Sequence, residues 1–188
     1  MGKYSRLVCL FVVLGLSAGC PYQINWHFIT VEDGAFYRSA QMSGGLMRVV
    51  ARKYEIATVI NFRGRNPDAK WYRDEVAACK EEGVAHHDIG WSASRLPLPA
   101  SLTEYIELIK AVEKPILVHC EGGTHRAGVG AACYLLTEGA TVDEARGQFG
   151  LFFANAPIGR LLDLYEGSPL PFGQWAAEEY PGLYAEEK

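Results

Sequence analysis

The order of apolar and polar stretches along the chain sets out short strands alternating with helices. His27 to Val31 and Ala35 to Ser39 read as two strands around a turn at Asp33-Gly34. Ser43 is placed to cap a helix running through Leu46, Val49, Val50 and Tyr54. Ala57 to Phe62 is a β-branched apolar run, which predicts a buried strand ended by Arg63-Gly64-Arg65-Asn66-Pro67. Asp68 then caps a helix with Trp71, Val76 and Cys79 near one face, and Gly83 stops it. Val84 to Trp91 reads as a strand, followed by a loop from Ser92 to Pro99. Ser101 starts a helix with Tyr105, Leu108, Ile109 and Val112 at helical spacing, and Pro115 opens the strand Ile116 to His119. Small and apolar residues from Ala127 to Leu136 predict a tightly packed central helix. Thr141 caps a short helix through Ala145, and Ile158 to Tyr165 forms another.

Such an alternation indicates an α/β domain, a small central sheet flanked by helices. The expected domain covers residues 25–167. Residues 168–188 form a tail whose Pro, Gly and Glu content predicts loose packing.

Composition narrows the possibilities. With 188 residues, 49% hydrophobic and 21% charged, the chain suits one domain with a real core. There is no internal repeat. A net charge of -4 without any basic run argues against a nucleic-acid partner. Recognition of an anion must therefore be local.

Residues 1–20 read as a segment apart. Lys3 and Arg6 precede an apolar stretch from Leu7 to Leu16, and Ser17-Ala18-Gly19-Cys20 supplies small residues at a cleavage point. The stretch is shorter than the roughly 20 apolar residues of a membrane span, so a secretory signal is expected. Cys20 after Ala-Gly resembles the lipobox of bacterial lipoproteins, with Leu16 one place early. That resemblance implies lipidation of Cys20 and attachment to a membrane. The expected location is outside the cytoplasm, periplasmic or membrane-anchored. Beyond Cys9 and Cys20, the remaining Cys79, Cys120 and Cys133 are odd in number, which suits a single reactive thiol among buried ones better than a disulfide framework.

The candidate chemistry lies at His119-Cys120-Glu121-Gly122-Gly123-Thr124-His125-Arg126. A buried strand aims the Cys120 sulfur outward. The five following residues can curl so that backbone N–H groups converge on one spot, and Gly122 and Gly123 permit the dihedrals this demands. Arg126 presents a planar fork that fits two phosphate oxygens, and the helix behind it offers its positive end. Such surroundings favour thiolate over thiol. Attack on phosphorus would form a phosphocysteine, with the amides and Arg126 stabilising the equatorial oxygens and no metal or cofactor required.

The loop resembles the HCxxGxxR signature of protein tyrosine and dual-specificity phosphatases. Phe36-Tyr37-Arg38-Ser39-Ala40-Gln41, Val59-Ile60-Asn61-Phe62-Arg63 and Pro115 to Arg126 resemble, in order and spacing, the compact bacterial dual-specificity phosphatases, several of them exported. The resemblance implies that Cys120 is the nucleophile, that Arg126 and loop residues Glu121, Gly122, Gly123, Thr124 and His125 hold the phosphate, and that His119 orients the thiolate. It implies a phosphorylated protein as substrate.

Two positions depart from the pattern. Ala127 stands where the family has Ser or Thr, whose hydroxyl helps the thiolate leave in the second step. The family's acid is an aspartate on a mobile upstream loop. Asp88 lies 32 residues before Cys120, the right distance, but at the end of a strand, while Ser92 to Pro99 holds no carboxylate. His125 is the competing donor. Arg63 and Arg65 read as solvated loop arginines rather than pocket residues, and adjacent strand positions keep His86 and His87 from chelating one ion. Two other readings stay open: a phosphatase of inositol phosphates or phospholipids, which usually calls for more basic loops, and a non-catalytic phosphoprotein-binding module.

Overall fold

A computed structural model describes residues 27–187. The expected signal segment, its Cys20 and the expected domain start at residue 25 lie outside the described residues. Five strands form one sheet: β1 (Ile29–Glu32), β2 (Phe36–Ala40), β3 (Thr58–Asn61), β4 (Ala85–Asp88) and β5 (Ile116–Cys120), in the order β1-β2-β5-β3-β4. β1 pairs antiparallel with β2 and the other pairings are parallel. The inner strands β2, β3 and β5 are buried at every position, whereas β1 and β4 at the edges are partly or fully exposed. That is the expected consequence of helices covering both faces.

The period-2 alternation of side chains divides the core into two halves. On one face Tyr37, Val59 and Leu117 pack against α1 (Gly44–Lys53) and α2 (Lys70–Glu82) through Met47, Val50, Ala78 and Cys79. On the other, Phe36, Ile60, Ile116 and Val118 meet α3 (Pro99–Ala111), α4 (His125–Thr137) and the elements beyond. Small residues bring α4 close to the sheet: a Cβ on Gly130 would lie 2.4 Å from the Phe62 ring. Tyr105 of α3 donates to the Gly130 carbonyl at 2.9 Å. Past α4 come α5 (Val142–Arg146), a 3-10 turn (Pro157–Gly159) and α6 (Arg160–Tyr165).

Several element boundaries follow the sequence reading. Ser43 accepts from Leu46 N, Thr141 and Glu144 form a reciprocal capping box, and Gly83 ends α2 in the left-handed conformation at φ +73°. Others are corrected. Ala69, not Asp68, occupies the α2 cap, and its buried face is Tyr72, Glu75, Ala78 and Cys79 rather than Trp71 and Val76. α3 begins at Pro99, ahead of Ser101, because proline suits the first helical turn.

The largest correction concerns the end of the chain. Residues past Gly167 do not pack loosely; they form α7 (Phe172–Glu178) and α8 (Tyr180–Glu186). Phe172, Trp175 and Ala176, spaced to share one face of α7, and Tyr180 at the start of α8 are buried in the α3–α4 half of the core. Tyr180 also donates to the Pro97 carbonyl at 2.7 Å, pinning the loop before α3. Composition concealed this stripe, since exposed Glu, Gly and Pro residues surround it.

Candidate active site

β5 ends at Cys120 and α4 starts at His125, so the chain between them must turn sharply at the carboxyl edge of the sheet. Gly123 takes φ +73°, and a Cβ there would lie 2.5 Å from Ala40 N, so only glycine fits. The carbonyls of this turn are drawn outward. Gln41 N donates to the Glu121 carbonyl at 3.1 Å, and Arg38 Nη1 donates to those of Gly123 at 3.1 Å and Thr124 at 3.5 Å. In a planar trans peptide N–H opposes C=O, so the amides of Gly122, Thr124 and His125 face the opposite way, toward the concave side of the turn. Arg38 is buried, and burial works to lower its pKa while Cys120 opposes that.

Arg126, on the first turn of α4, donates Nη1 to the Phe62 carbonyl at 3.4 Å. Its Nε is buried and unpaired among the described residues, which leaves a donor for an anion bound in the turn. Glu121 is exposed, its carboxylate 4.0 Å from Nη2 of both Arg126 and Arg63. Thr124 Oγ1 donates to the Gly122 carbonyl at 3.3 Å. The His125 ring meets Phe153 edge-on, with centroids 5.5 Å apart. The three described cysteines are buried and free. Burial, reinforced by Glu75, pushes the Cys79 thiol up to about 12, and burial pushes Cys133 higher still, so neither is a nucleophile near neutral pH.

Alternation along β5 turns His119 to the face opposite Cys120, where it meets α2. Fully buried Glu75 is the hub of that contact. Its Oε1 accepts from His119 Nε2 at 3.0 Å and from His86 Nε2 at 2.9 Å, and its Oε2 accepts from Gln41 Nε2. Burial alone would raise Glu75, but the hydrogen bonds from His119 and His86 outweigh it and hold the carboxyl at about 2. Gln41 thus ties the hub to the backbone of the turn, and its Oε1 accepts from Arg63 Nη1 at 3.1 Å. Glu75 carries no sequence signature of its own, and Arg38 and Gln41 were visible only inside a resemblance.

Asp88 does not join this group. It pairs with Asn61, and Asn61 with His119, so its side chain belongs to the His119 face. Both its oxygens are engaged, by Asn61 Nδ2 at 2.8 Å and by the Tyr72 hydroxyl. Spacing suggested a proton donor; the register makes it a bonded strand aspartate. Arg63 is corrected the other way. Its guanidinium lies 3.7 Å from the Trp71 ring centroid and reaches the rim of the turn, while Arg65 stays exposed. Among the described residues no group of three His, Cys, Asp or Glu is arranged to hold a metal ion.

A cysteine at the end of a buried parallel strand, a turn of outward carbonyls and an arginine on the following helix define the cysteine-dependent phosphatases of the tyrosine and dual-specificity type. The chain belongs to the family described as "PTP-SAK: Swiss Army Knife protein, DSP-PTPase phosphatase domain", whose family model matches residues 39–164. It is 28% identical over 85 residues to the dual specificity protein phosphatase CDC14B of Mus musculus, a match covering 45% of this chain and 16% of that protein. The chain therefore matches about a sixth of that relative's length.

The fold is shared with the core catalytic domain of the PP-IP phosphatase SIW14 from S. cerevisiae (TM-score 0.55, 16% identity, covering 86% of this chain and 92% of that one). It is shared as well with P. aeruginosa TpbA in complex with pTyr (TM-score 0.55, 18% identity, 84% and 99%).

Proposed function

We propose that the chain hydrolyses phosphotyrosine in proteins through a phosphocysteine. The observation that carries this reading is Cys120 at the base of a turn whose carbonyls are held outward by Arg38 and Gln41, beside the unpaired buried Nε of Arg126. The Cys120 thiolate attacks phosphorus in line; the S–P bond forms as the bond to the leaving oxygen breaks. Arg126 and the amides of Gly122, Thr124 and His125 carry the equatorial oxygens. Water then attacks phosphorus, the S–P bond breaks, and inorganic phosphate leaves with the thiolate restored. Glu75 and His119 act as positioning residues behind the turn.

The leaving group decides the substrate class. With Asp88 tied to Asn61 and Tyr72, and no carboxylate between Ser92 and Pro99, a poor leaving group lacks a ready carboxylic acid. Phenolate tolerates this and an alkoxide does not, so phosphotyrosine is favoured over phosphoserine and phosphothreonine. Ala127 supplies no hydroxyl for the second step, which makes breakdown of the phosphoenzyme the slower one. Export, with a lipid on Cys20, belongs to the same proposal and rests on the sequence; loss of labelled fatty acid in Cys20→Ala tests it.

The test of catalysis is phosphate release by the full chain without added metal. A phosphotyrosine peptide should be turned over about a hundredfold or more faster than its phosphoserine counterpart, the usual contribution of a general acid. Cys120→Ser should abolish release from both. Stable binding of the phosphopeptide with no phosphate released would mean that the fold serves recognition, and would end the catalytic reading.

A further inference from the structure

Arg63 follows Phe62, whose carbonyl accepts from Arg126, so two arginines from separate elements converge beside the phosphate turn. Arg63 is not a loosely solvated side chain. Its guanidinium lies on the Trp71 ring at 3.7 Å, and Nη1 donates to Gln41 at 3.1 Å. Gln41 is fixed in turn by Glu75. Stacking and a side-chain anchor hold the planar fork ready for a carboxylate or phosphate.

What stands before that fork is a carboxylate belonging to the turn itself. Glu121 Oε1 is 4.0 Å from Arg63 Nη2 and Oε2 is 4.0 Å from Arg126 Nη2. These distances exceed those of a hydrogen bond, and the Glu121 side chain is 73% exposed. An exposed pair of this kind is weak, so Glu121 is readily displaced.

We infer that Arg63 is a specificity-determining residue that binds a carboxylate side chain next to the phosphotyrosine of a peptide substrate, in the place Glu121 holds when no substrate is present. The inference rests on the phosphatase reading above and names the kind of peptide that the site takes. Arg126 belongs to the phosphoryl group, and Arg63 is left for a second anion. Glu121 therefore acts as an internal competitor. It screens Arg63 from peptides without a carboxylate there and yields to those with one.

The test compares two phosphotyrosine peptides, identical except for Glu or Gln beside the phosphotyrosine, with the full chain. The Glu peptide should have a kcat/KM about fivefold higher, the scale of a partly exposed ion pair. Arg63→Gln should bring the ratio close to one. Glu121→Gln, on an exposed side chain, should raise the ratio by removing the competitor. Equal kcat/KM for the two peptides in the unaltered protein, or a ratio that survives Arg63→Gln, overturns the subsite and leaves the phosphatase reading standing. Turnover of an inositol phosphate with neither peptide cleaved overturns the protein-substrate reading and the subsite with it.

Discussion

At Gly123 the phosphate turn lies against β2 so closely that a Cβ would meet Ala40 N at 2.5 Å and Ser39 C at 2.8 Å. Both neighbours are backbone of a buried strand and cannot move aside. Gly123→Ala adds this collision to a left-handed φ of +73°, itself about 1–2 kcal/mol unfavourable with a side chain. The expected result is loss of phosphate release together with a lowered Tm, measured by aryl phosphate turnover and calorimetry. Asp88 makes a contrasting case. If it were the acid, Asp88→Asn would erase the basic limb of the pH–rate profile. With both oxygens engaged by Asn61 and Tyr72, the substitution should leave the position of that limb unchanged and instead lower Tm. A basic limb lost in Asp88→Asn would restore the aspartate to catalysis.

Elements earn their place here by which face they cover. α2 shields the His119 face and supplies Glu75, while α4 supplies the arginine and packs on the Cys120 face. α7 matters as much to the core, although it touches none of the chemistry. Trp175 is fully buried, stacks on Phe172 and packs against the tilted rings of Tyr165 and Tyr180, at centroid distances of 5.1–5.7 Å. Trp175→Ala should cost about 3–5 kcal/mol, the range for large-to-small core changes, and lower Tm by about 10 °C. A Tm shift of a degree or less by calorimetry would mean that the helix is dispensable packing.

For the molecule as a whole, the Glu75 hub makes stability depend on pH. Its native pKa of about 2 lies below the ordinary 4.5, so the native state favours the carboxylate. The resulting stability is fully present above pH 4.5 and is lost as pH falls toward 2. Glu75→Gln cannot titrate, so denaturant unfolding should show its deficit relative to the unaltered protein shrinking as pH drops through that window. A deficit constant with pH would place the acid sensitivity in other carboxylates. The hub joins α2 to β5, β4 and the end of β2, so losing it loosens the scaffold behind the turn as one unit.

The sequence by itself determined the strands, most helices and the turn from Cys120 to Arg126, because each rests on local rules. Apolar runs make buried strands, Ser43 and Thr141 cap, and a Cys-to-Arg spacing with glycines between needs only a few consecutive residues to be meaningful. Tertiary structure decided what depends on register and on facing elements. Period-2 alternation can say that His119 and Cys120 point apart, but not that Glu75 waits on α2. Distance along the chain put Asp88 in the acid's place, and the pairing of β3 with β4 turned it to the other face. Arg63 read as a solvated arginine until Trp71 and Gln41 were brought beneath it. The C-terminal helices were hidden because their four buried residues find partners only once α3 and α4 are in place. Burial and pairing are properties of contacts between distant segments, and no window of neighbouring residues contains them.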